Sequence, residues 1–341
     1  MDLFGHVRLD IVGAREQTRP VHSSADLAPR REAIHRAVTP LPGNQPRDHF
    51  KPINIPGNCD GLTLLAALGR MVWNMSAADW QAEFAKGRIV NMEQIPVSAT
   101  RIVRAGQRYQ HLFPNQTEPE VNGAVEILHE DEALIVVNKP APLPMHAGGR
   151  YYLNTLQRFL NEAYRPQQPH PAHRLDAHTT GLVLVARTRQ FAGRLQNQFA
   201  QGQVQKTYFA RVPGQLPADA FSCDAPISAT AGEHCSRTVD RENGQAARTE
   251  FRVVRRFADG TNLLEVRPLT GRTNQIRVHL WHQGFPVCGD TVYLPGQQLG
   301  HTPPPAVGDP PLCLHAAQAK FLHPLSLQPV EFAAPLPAWA K

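Results

Sequence analysis

Apolar residues recur along this chain at two different spacings, and the change near residue 120 divides it. Upstream, Leu64, Leu65, Leu68, Met71 and Val72 fall at helical steps after Gly61, and Ala77 to Phe84 predicts a second helix carrying Trp80 and Phe84. Gly87 to Val90 and Ile95 to Val97 then predict a short β-hairpin, closed by Arg104 to Tyr109. Leu112 to Val121 is polar and contains proline, which predicts a linker. Residues 1 to about 50 hold no sustained period and predict a loosely held extension, with Arg30 to Arg36 making one helical turn or two.

Downstream, strands dominate. Ala124 to His129 and Ala133 to Asn138 flank a Glu130-Asp131-Glu132 turn, and Lys139-Pro140 ends the second strand because proline donates no ladder hydrogen bond. Gly181 to Ala186, Thr207 to Val212, Ala247 to Phe257, Leu263 to Arg267, Ala316 to Leu322 and Gln328 to Phe332 are further strands. Helices are predicted over 155–164, 190–201 and 275–283, the second because Phe191, Leu195 and Phe199 fall at i, i+4, i+8. Residues 294–312, with Pro303-Pro304-Pro305, form a surface insertion. Strands interrupted by helices without strict βαβ alternation predict an α+β fold around a mixed, mostly antiparallel sheet. Three regions follow: an extension over 1–50, a small helical and β-hairpin module over 51–115, and a main domain over 116–341.

Length and charge sharpen this picture. At 341 residues, two domains with tails are expected. A net charge of +6, with 35 Lys and Arg, suits a polyanionic partner, although 31 prolines alongside Arg and Ala fit a biased composition equally well. Five scattered cysteines contain no C-x-x-C pair, so no zinc ribbon or redox motif is expected, and reduced thiols imply a reducing compartment. Met1 to His6 lacks a signal-peptide pattern and no apolar run reaches membrane length. The expectation is a cytoplasmic protein, with no membrane partner and monomeric by default.

The densest chemistry lies at His173-Arg174-Leu175-Asp176, just before the buried strand from Gly181. A carboxylate held at a strand entrance serves as nucleophile or general base, although a lone loop aspartate is more often a turn former. His170, His173 and His178 lack the ligand count and spacing of a zinc site, so no metal is expected. Gly271 permits a tight turn before the helix at Gln275, where backbone N–H groups would meet a phosphate.

Four segments occur in order: Val137-Asn138-Lys139-Pro140, His173-Arg174-Leu175-Asp176, Lys206-Thr207-Tyr208-Phe209-Ala210, and Thr270 to His279, reading TGRTNQIRVH. Gly289-Asp290 before Tyr293 follows them. Together they resemble the RluA family of RNA pseudouridine synthases from about residue 124 onward. The module before them resembles, more weakly, the S-four-like RNA-binding fold; the family's Gly-x-Val-x-Val-Asn-Gly hairpin stands here as Gly87-Arg88-Ile89-Val90-Asn91-Met92-Glu93, without a turn glycine.

The family resemblance implies an isomerase that converts uridines of structured RNA to pseudouridine, with ribosomal RNA favoured and transfer RNA the other option. It implies a catalytic Asp176, a pocket tyrosine at Tyr208, a basic partner of the aspartate at Arg277, and an Arg174 that helps displace the target base. His173, Arg272, Asn274 and His279 are the further expected RNA contacts. The family commonly has His where this chain has Asn274, which keeps hydrogen bonding but carries no charge. The overall reaction has no redox change and adds no group, so no cofactor is expected. An inactive RNA-binding or ribosome-assembly protein of the same fold is the alternative, against which the intact Asp176, Tyr208 and Arg277 argue. A nucleosidase would want a second acid or a metal to activate water.

Overall fold

A computed structural model describes residues 27–72, 75–232, 236–300 and 305–341. These fall into two units, one of residues 43–119 and one that joins residues 27–42 to 120–341. The smaller unit is therefore inserted into the larger.

The larger unit begins with helix α1 (Ala28–Val38), which precedes the inserted unit in sequence. Leu27 and Ile34 are buried in the main core, Arg30 donates to the Ala163 carbonyl at 2.8 Å, and Arg31 donates to that of Ile127 at 3.3 Å. The expected loose extension is thus corrected over these residues. With one apolar anchor and three arginines the helix has almost no hydrophobic signature, and its cations bind carbonyls instead. Residues 1–26 of that predicted extension lie outside the described residues.

The smaller unit holds β1 (Arg47–Asn54), α2 (Leu64–Met71), α3 (Ala77–Ala85), β2 (Ile89–Val90) and β3 (Arg108–Gln116). Both predicted helices are present, and each starts on a side-chain cap: Thr63 accepts from the Ala66 amide, and Ser76 with Asp79 forms a reciprocal capping box. The sheet runs β1-β3-β2, all antiparallel. Residues 47–50 and 112–116, expected as extension and linker, are therefore strand. The inward residue His111 is polar, so alternation did not reveal β3; its ring hydrogen-bonds Glu83 of α3 at 3.0 Å. Burial pushes the Glu83 carboxyl up, but His111, Lys86 and Arg88 outweigh it and hold the pKa at about 2. The turn between Ile89 and Val97 closes without glycine. Asn91 Oδ1 accepts the amides of Glu93 and Ile95, and Gln94 takes φ +62°.

The larger unit continues through β4 (Glu126–Glu130), β5 (Leu134–Lys139), α4 (Leu156–Ala163), β6 (His170–Pro171), β7 (Thr180–Ala186), α5 (Arg189–Ala200), β8 (Gln205–Pro213), β9 (Ala220–Cys223), β10 (Thr249–Arg256), β11 (Thr261–Pro268), α6 (Gln275–His282), β12 (Tyr293–Leu294), β13 (Gln298–Leu299), β14 (Leu314–Leu322) and β15 (Pro329–Ala333). A ten-stranded sheet runs β4-β5-β7-β14-β8-β11-β10-β9, with β6 on β7 and β15 on β14. Only β7 against β14 is parallel, as expected for a mixed, mostly antiparallel α+β fold. The middle strands are apolar along their length because both faces are covered: Leu134 to Val137 and Val183 to Ala186 are fully buried. Phe159 and Leu160 of α4 and Leu195 of α5 join them in one cluster. Ile276 and Leu280 of α6 pack with Phe251, Leu264 and Val266 in a second, and Tyr208 touches both. Of the insertion at 294–312, residues 298–299 form β13 against β12, and Pro303-Pro304 lies outside the described residues. No described helix is long and apolar enough to cross a membrane.

Candidate active site

The middle of the sheet, where β7, β14, β8 and β11 lie side by side, brings together residues of the segments at 173–176, 206–210 and 270–279. Gly181, the second residue of β7, has φ +110°, and an added Cβ there would collide with the Ala316 carbonyl of β14. The loop carrying Asp176 is fixed just upstream. Lys139 is fully buried, and its ammonium donates to the carbonyls of Pro140, Leu143 and Ala177 at 2.9, 2.9 and 3.1 Å. Burial pushes its pKa down to about 7, opposed by Asp176. The residue next to the aspartate is thereby tied to the end of β5.

Arg277 sits in the first turn of α6 and reaches Asp176 from the opposite side. Its Nη1 donates to Asp176 Oδ2 at 3.4 Å. The single pairing expected from sequence is nevertheless incomplete. The shorter partner is Asp290, which receives Nε at 2.7 Å and Nη2 at 2.8 Å in a two-pronged bond. Burial disfavours the guanidinium charge, but Asp290 and then Asp176 more than offset that, and the Arg277 pKa rises. Asp290 is the site residue that sequence reasoning did not assign, and the Gly289-Asp290 motif was its one signal. The Asp176 side chain retains 25% exposure, against 0% for Asp290.

Tyr208 is half-buried on β8, and its hydroxyl finds no hydrogen-bond partner among the described residues. Burial, then the charge of Asp176, push its pKa up, so the phenol keeps its proton. Asp176, Tyr208 and Arg277 all line one open cleft of about 640 Å³, a size typical of small-molecule sites. Arg174, Lys206 and Arg272 line it too, so among the described residues the cleft wall carries four cations and Asp176 as its one carboxylate. Lys206 donates to the Thr270 carbonyl at 2.9 Å, and burial takes its pKa down to about 8.

The expected RNA contacts divide. Arg174 is exposed on the cleft, and so is Arg272, whose Nε donates to the Ala246 carbonyl at 3.0 Å. Asn274 caps α6 in the left-handed region at φ +58°, which asparagine adopts more readily than most residues. Its Nδ2 donates to the Tyr293 hydroxyl at 3.0 Å, and its Oδ1 accepts from Arg277 at 3.4 Å. His173 lines the cleft, but its Nε2 accepts the Leu184 amide at 3.0 Å and its ring packs on Phe199. Burial and Lys206 bring its pKa to about 4, against a backbone contact at Arg174, so it contributes no charge there near neutral pH.

His279 is not a surface residue. It is wholly buried, hydrogen-bonded through one ring nitrogen to Thr249 and through the other to the Ala225 carbonyl, both at 2.9 Å, and it pins α6 to the sheet. Of the backbone amides around the start of α6, where a phosphate contact was expected, those of Arg272 and Gln275 are taken by the protein itself. The Gln275 amide donates to the Arg272 carbonyl, and the Gln275 side chain accepts from the Arg272 amide and the Thr270 hydroxyl.

The family model described as RNA pseudouridylate synthase matches residues 133–282. The chain is 35% identical over 310 residues to ribosomal large subunit pseudouridine synthase D of Nitrosomonas europaea, covering 86% of this chain and 87% of that one. It is 32% identical to the dual-specificity RNA pseudouridine synthase RluA of Pasteurella multocida, over 64% of this chain and 95% of the relative. Among solved structures, human RNA pseudouridylate synthase domain containing 1 superposes with a TM-score of 0.51 at 26% identity, covering 62% of this chain and 84% of that one. The chain belongs to the RluA family of RNA pseudouridine synthases, isomerases that act on RNA.

Proposed function

We propose that Asp176 carries the isomerisation of uridine in large-subunit ribosomal RNA, with Tyr208 and Arg277 beside it. The observation behind this is that Asp176 is the one carboxylate among the described residues lining a cationic cleft, with a guanidinium at 3.4 Å. The reaction breaks the bond from uracil N1 to the ribose C1′, turns the base, and joins C5 to the same C1′. The C5 proton leaves and N1 gains one, so nothing enters or is lost overall. Asp176 either attacks the sugar or takes a sugar proton as the base departs. Arg277 sets a permanent positive charge beside that carboxylate.

The Tyr208 ring offers a face for the detached uracil. Because its phenol holds its proton, it accepts the C5 proton only as its own passes on. Arg174 and Arg272, both exposed on the cleft, take the RNA backbone, and Arg174 fills the space of the displaced base. Asn274 supports this by holding Tyr293 and Arg277 rather than by carrying charge.

The ribosomal target rests on the Nitrosomonas relative, whose match runs along most of both chains. The test is incubation of the full chain with unmodified large-subunit ribosomal RNA and, separately, with transfer RNA, followed by mapping of pseudouridine. Pseudouridine at discrete ribosomal positions is expected. Modification confined to transfer RNA would overturn the target.

A further inference from the structure

The guanidinium of Arg277 is held more firmly by Asp290 than by Asp176. Asp290 takes two of its nitrogens at 2.7 and 2.8 Å, whereas Asp176 takes one at 3.4 Å. Asp290 is itself fixed by backbone, since its Oδ1 also accepts the amides of Val292 and Tyr293 at 2.9 and 3.0 Å. The turn before it needs Gly289, at φ +77°, where a Cβ would strike the Pro311 carbonyl. Tyr293 then lays its ring 4.9 Å from the guanidinium carbon, and its hydroxyl accepts from the Asn274 side chain and the Arg237 amide. The Asp290 turn therefore sets both the plane of the guanidinium and the ring beneath it.

We infer that Asp290 is a positioning residue that holds the Arg277 guanidinium back from Asp176, so that the catalytic carboxylate is charge-stabilised without being captured. This rests on the reading of Asp176 as the reacting group. An arginine freed of Asp290 presents its whole fork to the nearest carboxylate, and that is Asp176. A two-pronged pair there would occupy both Asp176 oxygens and block attack on the sugar. Asp290 thus acts on the chemical step and leaves RNA affinity alone, because its own side chain is fully buried.

The test uses the full chain and unmodified large-subunit ribosomal RNA carrying tritium at uridine C5, with tritium release followed in a single turnover. Asp290→Asn is expected to lower the rate at saturating RNA about 100-fold, the scale of losing one well-placed electrostatic contact. RNA affinity should stay within about twofold, so that the loss falls on the chemical step alone. A wild-type rate, or a loss confined to RNA affinity, overturns the inference. If circular dichroism finds Asp290→Asn unfolded, Asp290→Glu decides, since it keeps the charge but moves it by one methylene. The same rate loss at unchanged affinity is expected, and a wild-type rate overturns the inference. Failure of both variants to fold also overturns it, because the role is then structural. Asp176→Asn runs alongside: if it retains activity, the underlying reading fails, whereas an inactive Asp176→Asn beside an unimpaired Asp290→Asn removes the inference alone.

Discussion

Arg277 and Asp290 form an ion pair with 11% and 0% side-chain exposure, and a pair that deep fails badly when halved. Arg277→Met leaves Asp290 as a buried carboxylate without its counter-charge, which costs about 3–5 kcal/mol of stability. Adding Asp290→Asn should recover most of that loss in urea denaturation; a single variant as stable as the parent chain would contradict the pairing. At this scale much of the site was legible. Asp176, Tyr208 and Arg277 stand in motifs whose order is informative, and all three line one cleft. Asp290 was visible as a motif but not as a partner, because contact across 13 positions depends on the turn at Gly289. His279 was misjudged because a histidine in a basic segment resembles a surface group. Its two buried hydrogen-bond partners, Thr249 at the start of β10 and Ala225 just after β9, lie far away in sequence.

Among the elements, α1 makes the clearest claim. It lies before the inserted unit, yet it packs on α4 and β4, and Ile34 is 2% exposed. Ile34→Ala should destabilise the larger unit by about 2–4 kcal/mol, read as a lower urea midpoint. An unchanged midpoint would mean that the helix is dispensable. The long apolar strands β5 and β7 and the helix α5 were readable from periodicity alone, since one covered face or two leave an unmistakable pattern. β1 and β3 were not. Their inward positions include His111, which is satisfied by Glu83 on α3, and a polar residue that is buried with a partner carries no hydropathy signal.

For the whole molecule, three histidines among the described residues are the ones most strongly held neutral. His173, His178 and His315 each have their pKa taken down to about 4, first by burial in every case. Unfolded, each returns to about 6.5. The unfolded chain therefore binds more protons between pH 6.5 and 4, and stability falls as pH drops through that window. The urea midpoint should be lower at pH 5 than at pH 7, and His315→Gln, distant from the reacting groups in role, should lessen the difference. A midpoint that is level or rises on acidification would contradict the burial of these rings. The two-unit arrangement was partly legible: the change of period near residue 120 located the second boundary, but nothing local marks the first, because α1 belongs to the larger unit only through tertiary contacts.

The central claim is that one acidic side chain on the cleft performs the rearrangement, and tritium release from uridine C5 measures it most directly. With unmodified large-subunit ribosomal RNA in a single turnover, the parent chain should release tritium, and Asp176→Asn, matched to it in fold and RNA affinity, should release none above background. Release by Asp176→Asn at a rate near that of the parent chain would contradict the account.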